Sequence, residues 1–158
     1  MIRAFLAIAF CTFLCGSALA QQAKVEGLNF KLGDDVNTVK TALHTNVDPE
    51  PMDEDSVSSF NLNRGKTVIH LRTKGIQVFF SKKGVVENIR IEAPYEGSIA
   101  GIKIGDSETK VRSVMGKPLK KPWAFGANQA FLYALDDTAY IRFDINETDG
   151  VQSIYINK

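Results

Sequence analysis

Beyond residue 20 this chain of 158 residues contains no cysteine: its two, Cys11 and Cys15, both lie in the first twenty residues. A disulfide framework is therefore excluded for the remainder, which must be held together by an apolar core. Histidine is almost as scarce. His44 and His70 are the only two, neither sits in a His-x-x-x-His pair, and no Gly-x-Ser-x-Gly is present, so no metal site or nucleophile-base arrangement is legible. Excess charge is missing as well: 19 Lys and Arg stand against 18 Asp and Glu. A balanced surface lacks the cationic field that general nucleic-acid binding requires. No catalytic residue, cofactor or metal is expected.

The first twenty residues have their own character. Arg3 is a short basic region, Ala4 to Leu14 an apolar run, and Ala18, Leu19 and Ala20 a small-residue ending, which together read as a secretory signal peptide cleaved before Gln21. The competing reading, a retained membrane span, needs about 20 apolar residues, and this run falls short. Lipidation at Cys15 is disfavoured by the bulky Leu14 before it. The expected location is the periplasm or the exterior. Without the leader about 138 residues remain, enough for one domain or two small ones sharing a core.

What is present is a pattern written twice. Leu32, Gly33 and Asp34, followed by Val39 and Leu43, recur as Ile104, Gly105 and Asp106, followed by Val111 and Met115. Val86, Ile89 and Ile91 recur as Val151, Ile154 and Ile156. Each copy opens with a short helix whose apolar residues are spaced three and four apart, capped by Asp34 or Asp35 in one and by Asp106 or Ser107 in the other. Period-two strands follow: Thr67 to Arg72, Ile76 to Ser81 and Val85 to Glu92, then Ala130 to Leu135, Ala139 to Ile145 and Val151 to Asn157, with Phe60 to Asn63 as a possible edge strand. The predicted class is α+β: two tandem repeats, over 21–95 and 96–158, each a short helix packed on an antiparallel sheet of three to four strands. The copies are offset by 72 residues at Gly33 and Gly105 but by 65 at Val86 and Val151, which assigns seven extra residues to the first copy and places them in its acidic loop.

The segment Ile104-Gly105-Asp106, Val111, Met115, Gly116, Pro118 resembles the SmpA/OmlA family of small outer-membrane assembly lipoproteins, and the tandem form is similar to the BLIP-like fold of β-lactamase inhibitory proteins. The first copy departs from the pattern, with His44 in place of Gly116 and no Gly-x-Pro, so its helix must end by another route. The resemblance implies an envelope or secreted protein that presents a surface to another protein.

Three groups of residues are candidates for partner binding. Asp48, Glu50, Asp53, Glu54 and Asp55 crowd the loop after the first helix; they form either a solvated connection or a docking prong for a basic partner, and they lack the Asp-x-Asp-x-Asp-Gly frame of a specific calcium loop. Trp123 and Phe125, with Tyr133 nearby, either fill the core or anchor an interface. Alternation along the last two strands turns Ile141, Phe143 and Ile145 to the core and leaves Tyr140, Arg142, Asp144 and Tyr155 displayed together. The expected function is a non-enzymatic inhibitor or immunity-type protein acting on an envelope or extracellular enzyme, with a basic cell-wall hydrolase as one suitable target. The alternative is an accessory factor in outer-membrane assembly or envelope maintenance.

Overall fold

Gly33 and Gly105 open the same local structure twice. The computed structural model describes residues 27–52 and 65–158, and in it both glycines lie in the left-handed region, at φ 91° and 87°, where a side chain is strained. The Gly33 amide donates to the Val86 carbonyl and the Gly105 amide to the Val151 carbonyl, each at 2.8 Å. The next residue folds back in both places: the Asp34 carboxylate accepts from the Lys31 amide and the Asp106 carboxylate from the Lys103 amide, again at 2.8 Å. That leaves the helix cap to the residue after it. Asp35 accepts from the Thr38 amide at 2.8 Å and heads α1, Val36–Ala42; Ser107 accepts from the Lys110 amide at 3.3 Å and heads α2, Glu108–Met115. The Thr38 amide bond also holds the Asp35 carboxyl below its ordinary pKa.

The helix ends explain the mismatch between His44 and Gly116. Gly116 leaves α2 at φ 74°, and His44, lacking a glycine's freedom, takes φ 48° after α1. A histidine can occupy that region at a cost of roughly 1–2 kcal/mol. Because the Ser107 hydroxyl occupies one of the free amides of α2, Ser107→Ala is expected to cost about 1 kcal/mol, read as a lower urea midpoint with an unchanged slope.

The strands are β1 Glu50–Pro51, β2 Thr67–Leu71, β3 Ile76–Phe80, β4 Val86–Glu92, β5 Trp123–Phe125, β6 Asn128–Ala134, β7 Tyr140–Asn146 and β8 Gly150–Asn157. They make one antiparallel sheet of eight, in the order β1-β2-β3-β4-β8-β7-β6-β5. This overturns the expected α+β class of two helix-backed sheets: the protein is predominantly β, with helices of only seven and eight residues. The reason lies in β4 and β8. Ile89 pairs with Ile156 and Ile91 with Ile154, so the strands expected to end each copy hydrogen-bond to one another and fuse the halves into one sheet. Two segments expected to be loops are edge strands, Glu50–Pro51 and Trp123–Phe125. The suggested strand at Phe60 to Asn63 lies outside the described residues.

One face of this sheet is the core. Directly opposed residues share a face, and two apolar rows run across six strands from β2 to β6: Ile69, Val78, Ile89, Ile156, Ile141 and Tyr133, then Leu71, Ile76, Ile91, Ile154, Phe143 and Phe131. Val39 of α1 and Val111 of α2 are fully buried in the same cluster, together with Leu28, Phe30, Leu32, Ile99 and Ile102 from the turn-rich segments before each helix. Helices and segments thus form one layer over one side of the sheet.

Candidate functional site

On the opposite side, alternation places a different set of rows. Across the middle run His70, Gln77, Arg90, Tyr155, Arg142 and Leu132; on one flank lie Glu92, Ser153, Asp144, Ala130 and Trp123, and on the other Val68, Phe79, Asn88, Asn157, Tyr140 and Ala134. None of the middle row belongs to the buried cluster that both helices join. Among the described residues, therefore, no helix covers this face.

Its centre is the β4–β8–β7 junction. The Arg142 guanidinium lies 4.0 Å from the ring centroid of Tyr155, and Arg90 lies 5.5 Å from it on the other neighbouring strand. Arg142 is also 4.7 Å from the Phe125 ring. Each guanidinium is held by a carboxylate two residues along its own strand. Arg142 Nη2 donates to Asp144 Oδ2 at 3.0 Å while its Nε lies 2.9 Å from Oδ1, and Arg90 Nη2 lies 2.7 Å from Glu92 Oε2. Ser153 Oγ donates to Asp144 at 3.2 Å, and Gln77 Nε2 to Glu92 at 2.9 Å. Cation–π contacts of this kind contribute about 0.5–2 kcal/mol each. Their more important effect is that two long cationic side chains are fixed around one aromatic ring before any partner arrives, which lowers the ordering cost of association.

The residues expected to bind a partner are distributed unevenly. Phe125, Tyr140, Arg142 and Tyr155 share this face, with Phe125 48 % and Tyr140 40 % exposed. Trp123 shares it too, half-buried on edge strand β5 with Lys120 Nζ 4.0 Å from its ring. Asp144, expected to be displayed with them, is on the right face but only 1 % exposed, beneath the Arg142 ion pair. Tyr133 is on the core face, 2 % exposed and edge-on to Phe143 at 5.9 Å; burial pushes its phenol pKa up. It is a packing residue.

Of the acidic group, Asp48 and Glu50 are not part of this centre. Asp48 is exposed and paired with Lys40 at 2.7 Å, a contact that holds its carboxyl below the ordinary range. Glu50 is exposed on β1 at the far edge of the sheet. Asp53, Glu54 and Asp55 lie outside the described residues. His44 is exposed at the end of α1, whereas His70 is half-buried at the far end of the middle row. Sequence reasoning missed Arg90, Glu92 and Gln77, although the alternation that selected Arg142 and Tyr155 in β7 and β8 would have selected Arg90 and Glu92 beside Ile89 and Ile91.

Elsewhere a polar cleft of about 400 Å³ lies between the start of α2 and the β5–β6 and β7–β8 turns, lined among others by Ser107, Glu108, Asn128, Gln129, Asn146 and Glu147. Among the described residues no three His, Cys, Asp or Glu side chains converge as a metal site would require, and no helix is long and apolar enough to cross a membrane.

No protein-family model matches the chain, and no curated protein sequence matches it. Three solved structures are similar, and the first two share its fold. A cysteine-rich secretory protein from Staphylococcus aureus superposes with a TM-score of 0.59 at 11 % identity, over 88 % of this chain and 49 % of that one. An extracellular protein containing a SCP domain from Bacillus anthracis gives 0.56 at 10 % identity, over 80 % and 44 %. A DUF4309 family protein from Bacillus subtilis gives 0.47 at 13 % identity, over 82 % and 80 %. This chain spans about half the length of the first two, and what it shares with them is the arrangement of its backbone.

Proposed function

We propose that this is an exported, non-enzymatic protein-binding module that engages another protein through the open face of its sheet, acting as an inhibitor or immunity-type protein on an envelope or extracellular enzyme. The single observation that carries the reading is Tyr155 held between Arg90 and Arg142, each fixed by its own carboxylate, on a face that no helix covers among the described residues. Aromatic and arginine side chains presented rigidly at the centre of a surface are the residues on which protein interfaces concentrate their energy. The leader-like first twenty residues support export, as do the two fold neighbours described as secretory and extracellular. The BLIP-like resemblance fits a sheet that presents one face to its target.

The test is capture of a partner from envelope extract with the chain lacking residues 1–20, followed by titration calorimetry with the purified partner. Arg142→Ala and Tyr155→Ala are each expected to weaken the complex by about 2 kcal/mol or more, roughly thirtyfold. Neutralising Asp53, Glu54 and Asp55 together is expected to slow association and flatten its salt dependence, because exposed charge steers encounter more than it sets affinity. Full affinity in the Arg142→Ala/Tyr155→Ala double variant would remove the open face from consideration.

A further inference from the structure

The chain is neutral as a whole but not locally. From Thr109 to Leu135 there is no carboxylate, while Lys110, Arg112, Lys117, Lys120 and Lys121 are all basic. Two of the five are engaged within the first turns of α2: Lys110 Nζ lies 3.9 Å from Asp106, and Arg112 Nε 2.6 Å from Glu108. The other three, Lys117, Lys120 and Lys121, are exposed and have no carboxylate partner among the described residues. The same short stretch carries Val114 and Leu119, 47 % and 55 % exposed, and exposed Phe125, three of the five large apolar side chains that the described surface displays.

The geometry brings these residues to one edge of the molecule. Leu119 donates its amide to the Leu132 carbonyl at 2.8 Å, so the connection from α2 runs along the outer edge of β6 beyond Ala130, where β5 pairing stops. Pro118 and Pro122 bracket Leu119, Lys120 and Lys121 in a segment that belongs to no helix or strand. Trp123 closes it, with Lys120 over its ring.

We propose that this connection, Val114 to Trp123, docks the protein peripherally on the surface of an anionic lipid bilayer. Unpaired lysines are compact, strongly hydrated charges suited to a diffuse anionic plane rather than to two-pronged recognition of single carboxylates, for which arginine is the better residue. Isolated apolar side chains between them have the pattern of interfacial segments, in which small hydrophobic insertions add to attraction by headgroups. Tryptophan beside a lysine stem is well placed at such a boundary, with its apolar ring inward and its indole N–H in water. The segment adjoins the Arg90–Tyr155–Arg142 centre through Phe125, whose ring lies 4.7 Å from Arg142, but the proposal does not rest on that centre's role.

Trp123 is the only tryptophan, so its fluorescence reports the site directly. The chain lacking residues 1–20 is mixed with vesicles of phosphatidylcholine alone or of phosphatidylcholine with phosphatidylglycerol. Co-sedimentation and a blue shift of Trp123 emission are expected only with phosphatidylglycerol, and they weaken as salt is raised. Each lysine is worth about fivefold in partitioning, so K117A/K120A/K121A is expected to bind on the order of a hundredfold more weakly, while Leu119→Ser weakens binding without altering its salt dependence. Tyr155→Ala, which leaves Arg142 and Phe125 in place, should bind vesicles as the parent does. Binding equal on neutral and anionic vesicles, unchanged binding by the triple lysine variant, or retention of the chain by an acidic polypeptide but not by either vesicle would overturn the proposal. Circular dichroism of the variants separates loss of binding from loss of fold.

Discussion

Phe143→Ala is expected to lower the unfolding free energy by about 4 kcal/mol, a large share of the roughly 5–15 kcal/mol that holds a domain of this size together. Phe143 is fully buried on β7, opposite Ile154 on one side and Phe131 on the other, with the Tyr133 ring edge-on at 5.9 Å. Deleting its ring leaves a cavity bounded by rigid strands on both sides, which cannot collapse to fill it. Phe125→Ala removes the same group from the opposite face, where the ring is 48 % exposed, and is expected to cost about 1 kcal/mol or less, including its contact with Arg142. Urea denaturation of the two variants measures the difference. Equal costs would mean that the two faces of the sheet have been assigned wrongly.

The second large effect is steric. Gly150 and Gly84 have almost the same φ, 73° and 72°, and a survey of side-chain propensity would treat them alike. Their surroundings differ. A Cβ on Gly150 would lie 2.4 Å from the Gly105 carbonyl oxygen and 2.6 Å from that of Asp106, whereas one on Gly84 would meet nothing within 4 Å. Neither oxygen has room to retreat, because Asp106 accepts the Val151 amide at 2.9 Å and the Gly105 amide is tied to the Val151 carbonyl. Gly84→Ala is therefore expected to cost about 1 kcal/mol, the left-handed penalty alone. For Gly150→Ala the clash adds to that penalty, for a total of about 3 kcal/mol or more. Thermal melts of both variants are the measurement, and matching values would show that the β8 turn does not press on the Gly105 loop.

These contrasts show what was legible in the residues. Period-two alternation in Ile141, Phe143 and Ile145, and in Ile154 and Ile156, selected the buried face correctly, because burial of one side of a strand leaves a mark at every second position. The recurrence of the glycine-aspartate openings was legible, as were Asp35 and Ser107 among the candidate caps; the positive φ of Gly33 and Gly105 and the folding of Asp34 and Asp106 back onto the Lys31 and Lys103 amides came from the structure. How the two halves meet was not legible. Nothing in Val86 to Glu92 or Val151 to Asn157 says which strand is the neighbour, since an Ile-rich strand fits any partner of matching register. That choice joined the halves into one sheet and made the protein predominantly β. Trp123 to Phe125 escaped for another reason, because three residues after a proline are too few to show a period. Tyr133 stayed open between core and interface because a tyrosine on an alternating strand suits either face, and only its neighbour Phe143 decides.

The position of β8 has a consequence for how the molecule comes into being. Every other ladder joins segments close in the chain, but β8 binds β4 across a long separation, from Asn88 with Asn157 at one end to Glu92 with Ser153 at the other. Until that strand is synthesised, β4 and β7 each present a bare flank studded with isoleucine and phenylalanine, the kind of template on which nascent chains associate wrongly. Closure of so distant a pair is expected to make the joining of β4 and β8 the slow step of folding, and a chain truncated before Gly150 would hold two half-sheets with nothing between them.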